Sequence, residues 1–293
     1  PTLMRFGRRG DKAELAHRAL RGDDIWCQLF SEPGAGSDLA SLRLRATREG
    51  DDWVLDGQKI WISVAQYARY GLLLARSDQQ ASKHAGLTAF MVDLHAPGVE
   101  VRPIRQITGH AHFNEVFFTG ARVPDLWRLG DPGEGWKVAL STLSTERYAT
   151  GEAPGPHLAD LIALARAYPE DRPAIEDAAV RQRIADLCVR SEGLKHARAR
   201  MITAASRGES PGPEASIGKL VSSALLNDIV SLGLEILGPA GVIAEKDVAP
   251  LHGWFQDAFF YAPATRIAGG TDEILRNIIA ERVLGLPTEK SSK

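Results

Sequence analysis

A single change of hydrophobic period, near Pro124, constrains this chain more than any other feature. Between 25 and 124 apolar and polar residues alternate, most clearly in Leu42-Arg43-Leu44-Arg45-Ala46-Thr47-Arg48, as on a strand with one buried face. Further strands are expected at 53–55, 59–63, 70–76, 87–94, 99–107 and 115–118, with turns at 49–52, Asp56-Gly57, Pro97-Gly98 and Gly109. Beyond Pro124 the spacing becomes helical. Helices are expected at 133–150, 158–167, 175–201, 217–237 and 271–284, the last stopped by Gly285 and Pro287. The fold class is therefore α+β: an antiparallel barrel- or sandwich-like β-domain over 25–124, then a helical bundle over 125–287 and a disordered tail at 288–293.

The first 24 residues carry Arg8, Arg9, Lys12, Arg18 and Arg21 around a few apolar positions, and read as the end of a helical segment that started earlier. They have no apolar core like that of a secretory signal, and Asp11, Glu14, Asp23 and Asp24 argue against an Arg-rich transit peptide. With 35 basic and 37 acidic residues in 293, the net charge of −2 offers no concentrated basic face for nucleic acid. No uninterrupted apolar run approaches the length of a membrane span. Cys27 and Cys188 lie in apolar patterns and read as free thiols of a reducing, cytoplasmic compartment. The eight histidines are scattered, so no metal site is expected, and neither a nucleophile elbow nor a Gly-x-Gly-x-x-Gly turn is present.

The most informative stretch is Ser31-Glu32-Pro33-Gly34-Ala35-Gly36-Ser37-Asp38, which follows the apolar run Ile25-Trp26-Cys27-Gln28-Leu29-Phe30. Proline and small residues make a turn with open backbone amides and little bulk to hold a ligand off. The amide of Gln28 and the hydroxyls of Ser31 and Ser37 flank it. Two further stretches are Lys59-Ile60-Trp61-Ile62-Ser63 and Gly269-Gly270-Thr271-Asp272-Glu273-Ile274. Taken alone, the former is a hairpin with a core tryptophan and the latter a threonine-capped helix start. Together the three resemble the flavin-contacting segments of the acyl-CoA dehydrogenase family.

That resemblance implies FAD as cofactor, with Gln28, Phe30, Ser31, Ser37, Trp61, Ile62, Ser63, Gly270, Thr271 and Glu273 around it. Trp61 is expected to pack near the isoalloxazine and Ser63 to bond its N5/O4 edge. Many members carry the catalytic glutamate immediately before the Gly-Thr pair, where this chain has Gly269. A subset instead carries it in Leu-x-x-Glu-Arg on the first helix after the β-domain, and this chain reads Leu143-Ser144-Thr145-Glu146-Arg147. The resemblance thus implies Glu146 as the catalytic base, the Gly269 amide on the thioester oxygen, and Ser37, Ser144 and Arg147 near CoA.

The implied reaction is α,β-dehydrogenation of an acyl-CoA to a trans-2-enoyl-CoA in fatty acid or lipid metabolism, with an electron-transferring flavoprotein as acceptor and a homo- or hetero-oligomer as the assembly. The resemblance also implies that residues 1–24 are the tail of an N-terminal helical domain largely absent from this chain. Two regions depart from the family pattern. Glu235 stands where many relatives begin a Gly-rich turn with Gln, and neither Arg166-Ala167-Tyr168-Pro169 nor Arg172-Pro173-Ala174-Ile175 matches the Arg-x-x-Phe-Gly of the adenine end. Alternative readings are a non-catalytic or half-site subunit of a mixed oligomer, and a flavin oxidase or monooxygenase on the same fold.

Overall fold

The computed structural model describes residues 1–149, 155–208, 212, 215–243 and 245–288, with the side chains of 146–149 and 215 outside the described set. Two compact units divide the chain, Pro1–Tyr148 and Ala149–Lys293. The first opens with helices α1 (Thr2–Phe6) and α2 (Lys12–Arg21). Eight strands follow: β1 (Trp26–Leu29), β2 (Arg45–Glu49), β3 (Asp52–Ser63), β4 (Tyr70–Arg76), β5 (Leu87–Asp93), β6 (Val99–Ile104), β7 (Phe113–Pro124) and β8 (Arg128–Leu129). They form one sheet in the order β6-β7-β3-β2-β4-β5-β8, with β1 added beside β4.

The sheet is mostly antiparallel, as the short links require, but β1 runs parallel to β4 and β2 meets β4 in one parallel pair. A parallel neighbour needs a long connection, and between β1 and β4 the chain first runs through β2 and β3. The central strands β4 and β5 are buried on both faces, which is why Gly71-Leu72-Leu73-Leu74-Ala75 is a continuous apolar run. Leu73 and Phe90 face one cluster with Leu29, Leu55, Val116 and Ala121. Leu72, Leu74 and Leu87 face a second cluster, covered by Phe30, Ala35, Leu39 and helix α3 (Gly135–Ala149) through Val138 and Ala139. The first helix after the β-strands therefore packs with the sheet, although the period changes earlier, at Pro124.

Asp56-Gly57 is not the turn its composition suggests. Strand β3 runs straight through it, pairing Gly57 with Phe118, and the extra residue sits on β7 at Gly120 (φ 63°). The glycine at 57 is required for a different reason: φ is 146° and a Cβ would come within 2.9 Å of the Leu44 Cα. An Asp-Gly pair reads as a hairpin turn only when no neighbouring chain crosses it, and here one does.

The second unit contains α4 (Leu158–Ala167), α5 (Ala178–Ser206), α6 (Ala215–Leu237), α7 (Trp254–Thr265) and α8 (Asp272–Ile278), which runs into a π-helical turn at Ile279–Val283. Leu161, Leu164, Ile184, Leu187, Leu225, Ile229, Leu232, Ile236 and Phe255 form its core. Gly233 admits Phe255, since a Cβ there would lie 2.1 Å from the ring. Helix α7, absent from the sequence-based expectation, carries Pro263 inside it, a residue that normally argues against a helix. The segment 216–242 is long and apolar enough to cross a membrane (mean hydropathy 1.6), but half of that window is buried inside this unit, as expected of a core helix.

Gly57→Ala should destabilise the first unit by about 1–3 kcal/mol, because strained backbone and a collision with the Leu44 backbone coincide. Chemical denaturation measures it. An unchanged midpoint would mean that the Leu44 segment moves aside freely.

Candidate active site

The turn at 31–38 and the strand carrying Trp61 are joined by one buried ion pair. Lys59 is fully buried, and its Nζ donates to the Phe30 carbonyl (2.9 Å) and to Glu32 Oε1 (2.8 Å). Glu32, itself buried, also accepts from the amides of Arg43 (2.6 Å) and Leu44 (3.0 Å). The amide of Ile60 donates to the Ser31 carbonyl (3.0 Å), and Glu32 and Ala35 exchange two backbone hydrogen bonds across the turn. Burial pushes the Lys59 ammonium down to about 8, against the opposing pull of Glu32. At the far end Asp38 accepts from Ser41 and Lys83, which holds its carboxyl below the usual range.

Beyond Lys59 the ladder slips. One extra residue is accommodated on β3 between Lys59 and Ile62, and Trp61 adopts φ 63° with the residue 57% exposed. That much exposed indole beside a bulge is a surface open to a planar partner, not the packed core tryptophan of an ordinary hairpin. Its ring meets Phe113 edge-on at 6.2 Å. Val64 is also left-handed (φ 54°), a genuine outlier for a β-branched residue. Such conformations cost about 1–3 kcal/mol each and persist only where surroundings enforce them. Asn114, wholly buried, donates to the Ile62 carbonyl (2.9 Å) and to Gln66 Oε1 (2.5 Å).

The sequence-predicted residues of the first unit thus converge. Phe30 and Ser31 are stitched to the strand that carries Trp61, Ile62 and Ser63. Ile62 is buried in the core, so its side chain supports this surface from behind. Helix α3 packs on the same turn, with Leu143 against the cluster that holds Phe30, Ala35 and Leu39. Ser144 is exposed and its hydroxyl turns back to the Ser141 carbonyl at 3.0 Å. The side chains of Glu146 and Arg147 lie outside the described residues; their backbone continues α3 one turn beyond Leu143.

The donors suit a flavin. Gln28, Ser31, Ser37 and Ser63 are all at least partly exposed, and among the described residues none spends its side chain on a hydrogen bond to protein. Cβ atoms added at Gly34 or Gly36 would meet nothing within 4 Å, so the turn offers backbone amides without a wall of side chains. A polar, planar, hydrogen-bonding ring matches uncommitted hydroxyls beside an exposed indole.

The second unit holds the other predicted residues. Gly269 (φ 66°) and Gly270 (φ 95°) form the turn before α8. The Thr271 hydroxyl is occupied as a helix cap, accepting from the Ile274 amide at 3.3 Å, and Glu273 is exposed. The turn is braced from below: Lys219 Nζ donates to the Gly270 carbonyl (2.7 Å), and Arg266 pairs with the buried Asp272 (2.6 Å). Burial lowers the Lys219 pKa, with Asp272 opposing. A Cβ at Gly269 would meet nothing within 4 Å, so the absence of a side chain there is not forced by crowding.

Residues 27–121 match the acyl-CoA dehydrogenase middle domain and 133–284 the acyl-CoA dehydrogenase C-terminal domain. The chain belongs to the acyl-CoA dehydrogenase family. The acyl-CoA dehydrogenase IpdE1 of Mycobacterium tuberculosis is 38% identical over 296 residues, covering 99% of this chain and 74% of that protein. FadE34 of the same organism is also 38% identical, over 98% of this chain but only 39% of its own length. A solved structure described as the Tcur3481-Tcur3483 steroid ACAD superposes with a TM-score of 0.88 at 31% identity, covering 99% of this chain and 75% of that one. Family membership makes this an FAD-dependent type of oxidoreductase, in keeping with the donor set around Trp61.

The roles of Lys59, Glu32 and Asn114 were not visible in the sequence. Lysine and glutamate inside a motif read as solvated until the fold buries both. Lys59→Met should cost about 3–5 kcal/mol, because it leaves the Glu32 carboxylate buried without its cation. Adding Glu32→Gln should recover at least half of the loss in a denaturant titration. Equal losses in the single and double variants would show that volume, not the stranded charge, sets the cost.

Proposed function

We propose that this chain catalyses FAD-dependent α,β-dehydrogenation of an acyl-CoA thioester, with Glu146 removing the α-proton. The observation that carries the choice of base is a pairing within the sequence. Gly269 stands where many family members have the glutamate, and Glu146 stands in the Leu-x-x-Glu-Arg of the subset that places it on the first helix. A glycine cannot accept a proton, so the carboxylate must come from elsewhere.

In this reading Gln28, Phe30, Ser31, Ser37, Trp61, Ser63, Gly270, Thr271 and Glu273 hold FAD, which when bound supplies the hydride acceptor for the β-carbon. Ile62 anchors the strand from the core. The Gly269 amide donates to the thioester oxygen and stabilises the charge that develops there as the α-proton leaves. A carboxylate sequestered from water is the stronger base, because desolvation raises its pKa toward the operating pH. Ser37, Ser144 and Arg147 position CoA. The Thr271 hydroxyl also caps α8 and so fixes the Gly269-Gly270 turn.

The likeness to a steroid ACAD supports a bulky, ring-bearing acyl group as the first substrate class to test. An electron-transferring flavoprotein is the proposed acceptor, and the free Cys27 and Cys188 support a reducing intracellular setting. A mixed oligomer is supported by relatives such as the ChsE4–ChsE5 complex of Mycobacterium tuberculosis, at 29% identity and a TM-score of 0.84.

Glu146→Gln should slow anaerobic flavin bleaching by acyl-CoA about 10²–10⁴-fold, the usual worth of a positioned base. In that background Gly269→Glu should restore part of the rate, at the cost of a side chain on left-handed backbone (φ 66°) that meets no neighbour within 4 Å. Bleaching by Glu146→Gln at the wild-type rate would rule Glu146 out.

One observation favours a second reading, a half-site subunit. Glu235 is held by both terminal guanidinium nitrogens of Arg183 at the rim of a groove of about 330 Å³ that Arg172, Asp177 and Leu232 also line. An anion fixed there opposes a pyrophosphate. Purified alone, a half-site subunit is colourless and becomes yellow only with its partner; a yellow, active chain on its own excludes it.

A further inference from the structure

The segment from Trp61 to Val64 is held in a conformation its residues do not favour. Trp61 and Val64 are, among the described residues of the first unit, the two non-glycine positions with positive φ. Neither is Asn or Asp, the types that tolerate this region. Between them lie Ile62, anchored in the core, and Ser63, exposed with an uncommitted hydroxyl.

What opposes relaxation is a short polar chain running to the start of β7. Asn114 pairs with Ile62 in the ladder, just past the bulge, and both hydrogens of its Nδ2 are used, on the Ile62 carbonyl (2.9 Å) and Gln66 Oε1 (2.5 Å). Gln66 in turn donates to the Ala111 carbonyl (2.8 Å), and the Val64 amide donates to the His112 carbonyl (3.0 Å). The strained segment is therefore tied on both sides to 111–114. Asn114 does this at a cost to itself: its Oδ1 is buried and has no hydrogen-bond partner among the described residues. An apolar residue of the same volume would remove that orphaned acceptor but would leave the Ile62 carbonyl and Gln66 Oε1 without their donor, so what asparagine contributes here is its two donors, both spent on holding this segment.

We propose that Asn114 is a positioning residue, which through Ile62 and Gln66 forces Trp61 and Ser63 into the presentation that receives the flavin ring. The inference rests on the reading that Trp61 and Ser63 face FAD, and assigns the geometry of that surface to a residue that touches neither cofactor nor substrate. Asn114 and Gln66 act as one clamp.

The test uses Asn114→Leu, which keeps volume and removes both donors, and Gln66→Leu, which removes the second link without touching the core. Three quantities are read on wild type and variants: FAD affinity by fluorescence titration, the visible flavin spectrum, and backbone hydrogen exchange across 61–67 without FAD. The clamp predicts, for Asn114→Leu, at least tenfold weaker FAD binding, an altered flavin band, and exchange at 61–67 accelerated at least tenfold while β4 and β5 keep wild-type protection. Gln66→Leu should move the same readouts in the same direction by about threefold. A folded Asn114→Leu with wild-type affinity, spectrum and exchange overturns the clamp while leaving the FAD reading intact. Should Asn114→Leu fail to fold, wild-type behaviour of Gln66→Leu overturns it equally. A wild-type chain that takes up no FAD sinks the underlying reading, and is recognised before any variant is compared.

Discussion

The buried contact between Lys59 and Glu32 is the interaction on which the candidate site depends. A fully buried ammonium is tolerable only if its donors are met, and here a carboxylate and a backbone carbonyl meet it. The carboxylate in turn needs the amides of Arg43 and Leu44. One charge pair thus fixes three backbone segments: the end of β1, the start of β2 and the middle of β3. These segments contribute Ser31, Ser37 and Trp61. Hydrophobic packing is non-directional and could have held them loosely; an ion pair with four directed hydrogen bonds sets their register.

This anchoring divides the surface into committed and uncommitted polar groups. Glu32, Lys59 and Asn114 are consumed in holding backbone, and all three are buried. Ser31, Ser37, Ser63 and Gln28, all at least partly exposed, have no side-chain hydrogen bond to protein among the described residues. In the second unit the same division separates Thr271 and Asp272, spent on capping and on Arg266, from Gly269, which is exposed, and Gly270, which is half-buried. The groups a ligand can use are those that the fold leaves over.

Fold class was largely legible. The alternation in 42–48 and the helical spacing in 217–237 follow directly from which faces are buried, and the elements stand where those patterns put them to within a few residues. Two errors were physical in origin. Asp56-Gly57 looks like a turn because its local propensity is that of a turn, yet the close approach of Leu44 uses the same glycine inside a strand. Helix α7 was missed because Pro263 opposes a helix locally, whereas Phe255 seating against Gly233 provides tertiary compensation.

The sequence by itself determined the order of sheet before helices, which is written in spacing, and the short list of motif residues whose resemblance to known segments gives the family. Tertiary structure alone decided which of those residues face outward and which are structural. Nothing in the string Lys59-Ile60-Trp61-Ile62-Ser63 says that the lysine is buried and the tryptophan exposed, the reverse of what their side chains prefer. That inversion arises because Glu32, 27 positions earlier, supplies the lysine's counter-charge, while a bulge opposite Asn114 turns the indole out. Burial is a property of partners distant in sequence, so it becomes visible only once the chain has brought them together.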